Sequence, residues 1–313
     1  MAVATKHVKN GAFNGGLLHA LKVNLYSYIR KNAMKTRNHA CHRTSVTYSD
    51  EYLRTRLAGK VAICTASSAG IGYSAAERIA REGAKVVICS RRQENVDDAV
   101  KKLRNQNLEA SGIVCHQAKK EDRQRLVDYT INTYGGIDLL FTSAGVNTHK
   151  GHMFSVTEEQ WDKMFDVNLK STFLMIRECV PYMMQRGGGA IVTNSTIGAV
   201  YPHKTADAFG PYSISKMCII SLTDLLAEPL GNHNIRINTV APGPIKTRFF
   251  HGFYDNVPAG AEDAVDKMMI TLLNRHGHPD ECGAAVAFLL SDDASFITGE
   301  TLVVSGGVFR KTT

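Results

Sequence analysis

From Gly59 onward, short unbroken apolar runs alternate with longer segments whose apolar residues recur every three or four positions. Lys60-Val61-Ala62-Ile63-Cys64-Thr65 is the first such run. Residues 84–90, about 111–116, 138–144, 190–195, 235–241 and 302–305 repeat it. Each predicts a strand covered on both faces, since a half-exposed strand would alternate apolar with polar. Between them, Gly70 to about Gly83, 93–106, 120–134, 157–185, 212–230 and 280–290 predict helices. The first of these carries Ala75, Ala76, Ile79 and Ala80 on one small apolar face. Strand and helix in alternation require right-handed crossovers, hence a doubly wound α/β fold with a parallel sheet of about seven strands. No linker, low-complexity segment or internal repeat interrupts 59–313, so this span is read as one domain.

The first 58 residues do not continue this rhythm. Residues 1–49 hold eight Lys or Arg and no acid, so of the chain's net charge of +8 nothing remains for 50–313, which carry 29 bases and 29 acids. The excess charge therefore belongs to the leader and gives no sign of a nucleic-acid surface on the domain. A segment around Leu17-Leu18-His19-Ala20-Leu21-Lys22-Val23, continued by Leu25, Ile29 and Arg30, has the pattern of an amphipathic helix. Basic, hydroxyl-bearing and free of acids, the leader is expected to be a mitochondrial transit peptide, removed before about residue 58. A disordered tail on a cytoplasmic protein is the alternative. No apolar run is long enough to span a bilayer. The seven cysteines are odd in number, lack a CxxC and sit mostly in apolar runs, which predicts buried reduced thiols and no metal site.

The candidate chemistry starts where the first strand ends. Thr65-Ala66-Ser67-Ser68-Ala69-Gly70-Ile71-Gly72 leads into a helix, and Gly70 and Gly72 let the backbone turn tightly and approach a pyrophosphate held by free N–H groups. That is the phosphate loop of a Rossmann-type domain. An acid at the end of the second strand would bind the ribose 2′-hydroxyl of NAD. Here the chain reads Ser90-Arg91-Arg92, with no acid; a hydroxyl and the Arg91 guanidinium suit a 2′-phosphate, while Arg92 by itself reads as a solvated surface charge, so NADP is the expected cofactor.

Tyr212 and Lys216 lie four residues apart and share a helix face. A phenol titrates near pH 10 and is a poor acid/base at neutral pH, but an adjacent ammonium favours phenolate and lowers that value. Such a pair is common in helices and does not stand alone here. TASSAGIG (65–72), TSAG (142–145), Asn168 in FDVNLK, the hydroxyl pair Ser195-Thr196, YSISK (212–216), PGPIKT (242–247) and SDDASFITGETLVVSGG (291–307) follow in order. With these motifs the chain resembles the short-chain dehydrogenase/reductase family over 59–313, and within it the NADPH-dependent carbonyl/retinal reductases.

The resemblance implies that Tyr212 is the acid/base, that Lys216 lowers its pKa and holds the nicotinamide ribose, and that Asn168 anchors a water in a proton relay. It implies further that Ser67, Ser68, Gly70, Ile71 and Gly72 cradle the pyrophosphate, and that Ser90, Arg91 and Arg92 meet the 2′-phosphate. Ala144, Gly145, Pro242, Gly243, Ile245 and Thr247 would line the nicotinamide side. The family's catalytic serine usually lies 13 residues before the tyrosine; Thr196 lies 16 and Ser195 lies 17 before Tyr212. Matching the hydroxyl pair favours Thr196 over Ser195, with extra residues in the loop of about 199–211. Three further departures stand out. Ala66 replaces the first loop glycine, Thr142-Ser143 replaces two asparagines, and no acid stands near His116-Gln117 where the family contacts adenine. The substrate segment is expected over 248–275, where Phe249, Phe250, Phe253, Tyr254, Met268 and Met269 either suit a lipophilic carbonyl or pack a lid or an oligomer contact. The resemblance also implies a homotetramer using the helices near 157–185 and 212–230. The end Arg310-Lys311-Thr312-Thr313 is not a Ser-Arg-Leu type peroxisomal signal. The altered hydroxyl and loop leave one alternative to a reductase, a catalytically weak NADP-binding scaffold.

Overall fold

The predicted strands form as β1 (Val61–Thr65), β2 (Lys85–Ser90), β3 (Ala110–Val114), β4 (Leu139–Thr142), β5 (Gly189–Asn194), β6 (Ile235–Pro242) and β7 (Thr301–Val304). All pair in parallel, in the order β3-β2-β1-β4-β5-β6-β7. This is a computed structural model, and it describes residues 56–202, 206–251 and 271–308. The leader up to residue 55, most of the aromatic and methionine segment after Phe250, and the last five residues lie outside the described residues.

Alternate residues of each strand point into two different cores. Ala62, Cys64, Val86, Ile88 and Phe141 join Ala75, Ala76 and Ile79 of α1 (Gly70–Arg81) and Ala99 and Leu103 of α2 (Gln93–Arg104) on one face. Ile63, Val87, Cys89 and Leu140 join Leu126 and Val127 of α3 (Lys120–Tyr134) on the other. Helix α4 (Glu158–Phe165) opens with a capping box on Thr157, and α5 (Ser171–Gln185) adds Met175, Ile176 and Cys179 to the second core. This two-sided burial is why the strands read as apolar without alternation. Short α6 (Ile197–Val200) and long α7 (Ala206–Gly231) precede β6. Helices α8 (Arg248–His251) and α9 (Pro279–Leu290) follow it. No helix among the described residues is long and apolar enough to cross a membrane. Six cysteines are described, all as free thiols, and five of them are buried.

Three expectations need correction. The single helix expected over 157–185 is broken by a π-helical turn at Asp166–Lys170. The helix expected from 212 starts six residues earlier, at Ala206, and carries Pro211 inside it. That proline forgoes one backbone bond and does not stop the helix. The fold also reaches upstream of Gly59. Leu57 is buried and its N–H donates to Glu82 O at 2.8 Å, while Arg56 Nε lies 3.1 Å from Asp293 and 3.5 Å from the buried Glu82 carboxylate.

Candidate active site

Strands β1 and β4 are neighbours in the sheet although one is first and the other fourth. Their crossovers leave in opposite directions and open a crevice at the strand C-termini, where ligands of such sheets bind. The loop after β1 enters that crevice. Gly70 has φ of +59°, and Ala66 stands at φ +50°, in the region that disfavours a side chain. A Cβ on Gly72 would lie 2.7 Å from Ala66 O and 2.9 Å from Ser67 Cα, so only glycine fits there. Ser67 is buried, with its hydroxyl donating to Thr65 O (2.9 Å) and its N–H to Cys89 O (3.0 Å). Helix α1 begins with no side-chain cap and no acid in its first turn. Its free N–H groups and positive dipole end therefore remain available to an anion.

Tyr212 and Lys216 lie on one face of α7 and are both buried. Lys216 Nζ donates to Asn194 O (2.9 Å), the last residue of β5, and to Ala144 O (3.3 Å) in the loop after β4. Burial pushes the Lys216 ammonium down to about 8. Burial also pushes the Tyr212 phenol above its ordinary value, so desolvation rather than the neighbouring ammonium sets its level in this structure. The Tyr212 ring faces that of Phe249, with centroids 5.6 Å apart.

Asn168 sits in the π turn and is fully buried. It holds both backbone groups of Val146, accepting from its N–H at 2.8 Å and donating to its carbonyl at 2.9 Å. Its second amide hydrogen goes to Ser215 Oγ (2.9 Å), which itself donates to Tyr212 O (2.7 Å). Asn168 thus joins the loop after β4 to the tyrosine's own turn of helix, and it does so without touching Lys216 Nζ. One-residue re-aiming of this kind is a common use of a π turn.

Successive residues at the end of β5 divide as pleating requires. Ser195 is buried and its hydroxyl donates to Lys216 O at 2.8 Å. Thr196 is half-buried on the cleft wall and caps α6, where it accepts a long bond from Gly198 N (3.4 Å). The cleft has a volume of about 510 Å³. The phosphate loop, both hydroxyl residues, Tyr212, Lys216, Gly145 and the stretch from Pro242 to Phe250 line it.

The chain is similar in sequence and fold to known proteins. A family model described as Enoyl-(Acyl carrier protein) reductase matches residues 65–309. Dehydrogenase/reductase SDR family member 4 of Oryctolagus cuniculus is 48% identical over 254 residues, 81% of this chain and 95% of that protein. Its Homo sapiens counterpart is 46% identical over 255 residues, 81% and 89% of the two chains. The crystal structure of gox2181 superposes with a TM-score of 0.75 at 28% identity, covering 82% of this chain and 97% of that one. The chain belongs to the short-chain dehydrogenase/reductase family.

Family membership brings a nicotinamide cofactor, NAD or NADP, and the side-chain-free cradle at Gly70 and Gly72 fits its pyrophosphate. Ser68 and Ile71 are half-buried beside that cradle. Thr247 lies against it, its methyl 3.4 Å from where a Gly70 Cβ would stand. Pro242, Gly243 and Ile245 continue the same wall. Ser90 is half-buried at the end of β2, and Arg91 and Arg92 are exposed beyond it. None of these three lines the cleft itself. Arg92 stands 3.6 Å from Glu94, whereas Arg91 makes no ion pair among the described residues.

The departures noted in the sequence have structural counterparts. Ser143 N–H donates to Thr65 Oγ1 (3.2 Å), but the buried Thr142 hydroxyl finds no partner among the described residues. His116-Gln117 carry no acid, and His116 N donates instead to Asp122, in the first turn of α3, at 2.8 Å. Sequence reading also missed Asn194, whose contribution is a backbone carbonyl and so is invisible in residue types, and the cleft-lining Phe209, Lys246, Arg248 and Pro279. Among the described residues no group of three or more His, Cys, Asp or Glu could hold a metal.

Proposed function

We propose that the protein reduces lipophilic ketones and aldehydes with NADPH. The observation that carries this reading is the convergence of Thr196, Tyr212 and Lys216 on one cleft whose other walls are the phosphate loop and Phe249. The absence of an acid in Ser90-Arg91-Arg92 supports NADP over NAD. When bound, the cofactor supplies a hydride to the carbonyl carbon.

The protein's own part is orientation and the proton. Thr196 offers a hydroxyl hydrogen to the carbonyl oxygen, where negative charge grows. Tyr212, kept protonated by burial, gives its phenolic proton to that oxygen. Lys216 is fixed at two carbonyls and carries its positive charge one helical turn from Tyr212, where it would favour the phenolate left behind. Asn168 positions the tyrosine's turn through Ser215.

The test is NADPH oxidation by the full chain with a panel of dicarbonyls, quinones and aryl ketones. Turnover that disappears in Tyr212→Phe while NADPH still binds is the expected result. NADPH binding without turnover on every panel member would instead make the protein a cofactor-binding scaffold, and equal efficiency with NADH would remove the NADP assignment.

A further inference from the structure

Among the described residues the cleft lining holds three cations, Lys216, Lys246 and Arg248, and no Asp or Glu. Lys216 is accounted for by its two carbonyl partners. Lys246 precedes Thr247, which lies against Gly70 of the phosphate loop, and so stands at the cofactor end of the cleft lining. Arg248 lies beyond Thr247. It opens α8 directly before Phe249, the residue whose ring packs against Tyr212. Arg248 is exposed and makes no ion pair among the described residues. Glu281, the carboxylate packed behind the Ile245–Gly277 bridge, is held by Arg275 through two bonds of 2.6 and 2.8 Å.

Resting on the reductase reading above, we infer that the carbonyl substrate carries a terminal oxyanion and that Arg248 binds it while the apolar wall takes the rest. An exposed arginine on open surface would gain little from an ion partner. In a cleft whose described lining is largely apolar and carries a single sign of charge, the field is focused and the ligand is drawn in. A guanidinium is weakly hydrated and matches the planar fork of a carboxylate, and it binds phosphate or phosphonate oxygens in the same bidentate way. Phe249 and Phe250 beside it, with Ile197, Phe209 and Pro244, give the apolar surface for the body of the molecule. The substrate class is therefore an aromatic or alkyl carbonyl with an acid at its far end.

The experiment compares one aryl ketone in three forms, 4-benzoylbenzoate, its phosphonate counterpart and the neutral methyl ester, on the full chain. The wild type should favour the acids over the ester by about tenfold in kcat/KM, the worth of one charge-assisted pair. Arg248→Ala should reduce kcat/KM for the acids about tenfold more than for the ester, and Arg248→Lys should retain part of the preference. A stronger loss on the carboxylate than on the phosphonate, or the reverse, tells which oxyanion the site is built for. The proposal is overturned if the ester is reduced as well as the acids, or if Arg248→Ala affects all three equally. It is equally overturned if the NADPH dissociation constant rises in step with the lost activity, for then Arg248 serves the cofactor. Reduction of neutral dicarbonyls with no preference for acids would leave the reductase reading standing and sink this one alone; no reduction of any carbonyl would sink both.

Discussion

The hydroxyl of Ser195 donates to the backbone carbonyl of Lys216 at 2.8 Å. That bond ties the end of β5 to α7 and occupies the Ser195 hydroxyl. Its neighbour Thr196 keeps a hydroxyl on the cleft wall whose one bond among the described residues is the long contact from Gly198 N. Thr196→Ala should therefore cost roughly a hundredfold to a thousandfold in kcat, the usual loss for one oxyanion donor. Thr196→Ser keeps the donor and should retain activity. Ser195→Ala leaves the Lys216 carbonyl short of a partner and should cost about 1–2 kcal/mol of stability with a milder kinetic effect. Steady-state kinetics and urea unfolding on the three variants check this. If Ser195→Ala is the more damaging change to kcat, the hydroxyl assignment shifts by one residue.

A second prediction concerns pH. Lys216 titrates at about 8 in the folded protein because of burial, well below its unfolded value. Between these two values the unfolded chain binds the extra proton, so stability rises with pH across the window. Below about 8 the lysine is charged in both states and contributes no slope. The raised Tyr212 phenol acts oppositely, since above pH 10 the unfolded chain loses that proton first and stability falls. Wild type should thus gain on the order of 2 kcal/mol from pH 8 to 10 relative to Lys216→Met. Urea midpoints measured across that range decide it; parallel curves for the two proteins would show that the lysine is not desolvated.

Most of the fold is legible in the sequence because two-sided burial leaves an unmistakable mark. Val61–Cys64, Val86–Cys89, Leu139–Phe141 and Ala190–Val192 run apolar without alternation, and the helices between them keep a separate period. What is not legible has physical causes too. A π turn at Asp166–Lys170 adds one residue without changing composition, so Asn168 looks like any helical residue. Gly210-Pro211 resembles a helix stop, yet the helix runs through it. Of the site, Gly70, Gly72, Tyr212 and Lys216 are readable as motifs. The carbonyls of Asn194 and Ala144 that hold Lys216 are not, because backbone groups carry no letter.

The phosphate loop yields a third prediction. The clash awaiting a Cβ on Gly72 is with the carbonyl of residue 66, at 2.7 Å, and with backbone at Ser67. Gly72→Ala must push the loop out, costing about 1–3 kcal/mol as overpacking does, and should weaken NADPH binding at the same time. Ala66→Gly relieves a left-handed backbone but frees the unfolded chain, so it should change stability by less than about 1 kcal/mol. Because the offending atom is the carbonyl and not the Ala66 methyl, adding Ala66→Gly should not rescue Gly72→Ala. Thermal unfolding with and without NADPH gives both quantities, and rescue in the double variant would contradict the geometry.

The last prediction tests where the folded domain starts. Leu57 is a lone apolar residue next to a basic stretch, and nothing in its spacing marks it as core. Yet it is 1% exposed and packs in the same cluster as Ile79, Val86 and Leu103. Its N–H donates to Glu82 O, and its own carbonyl accepts from Lys60 N at 3.1 Å, which fixes the approach to β1. Arg56 is anchored beside it, donating to Ser291 Oγ at 2.8 Å while its charge lies near Glu82 and Asp293. Truncating a buried leucine typically costs about 2–5 kcal/mol, so Leu57→Ala should lower the urea midpoint strongly with the slope unchanged. Arg56→Ala should cost less, because Glu82 keeps Arg78 Nε at 2.6 Å as a partner. A chain shortened to begin at Gly59 loses both anchors and should unfold at lower urea than either variant. If that shortened chain is as stable as the full one, Leu57 contributes nothing to the core and the domain starts where the strand pattern alone would place it.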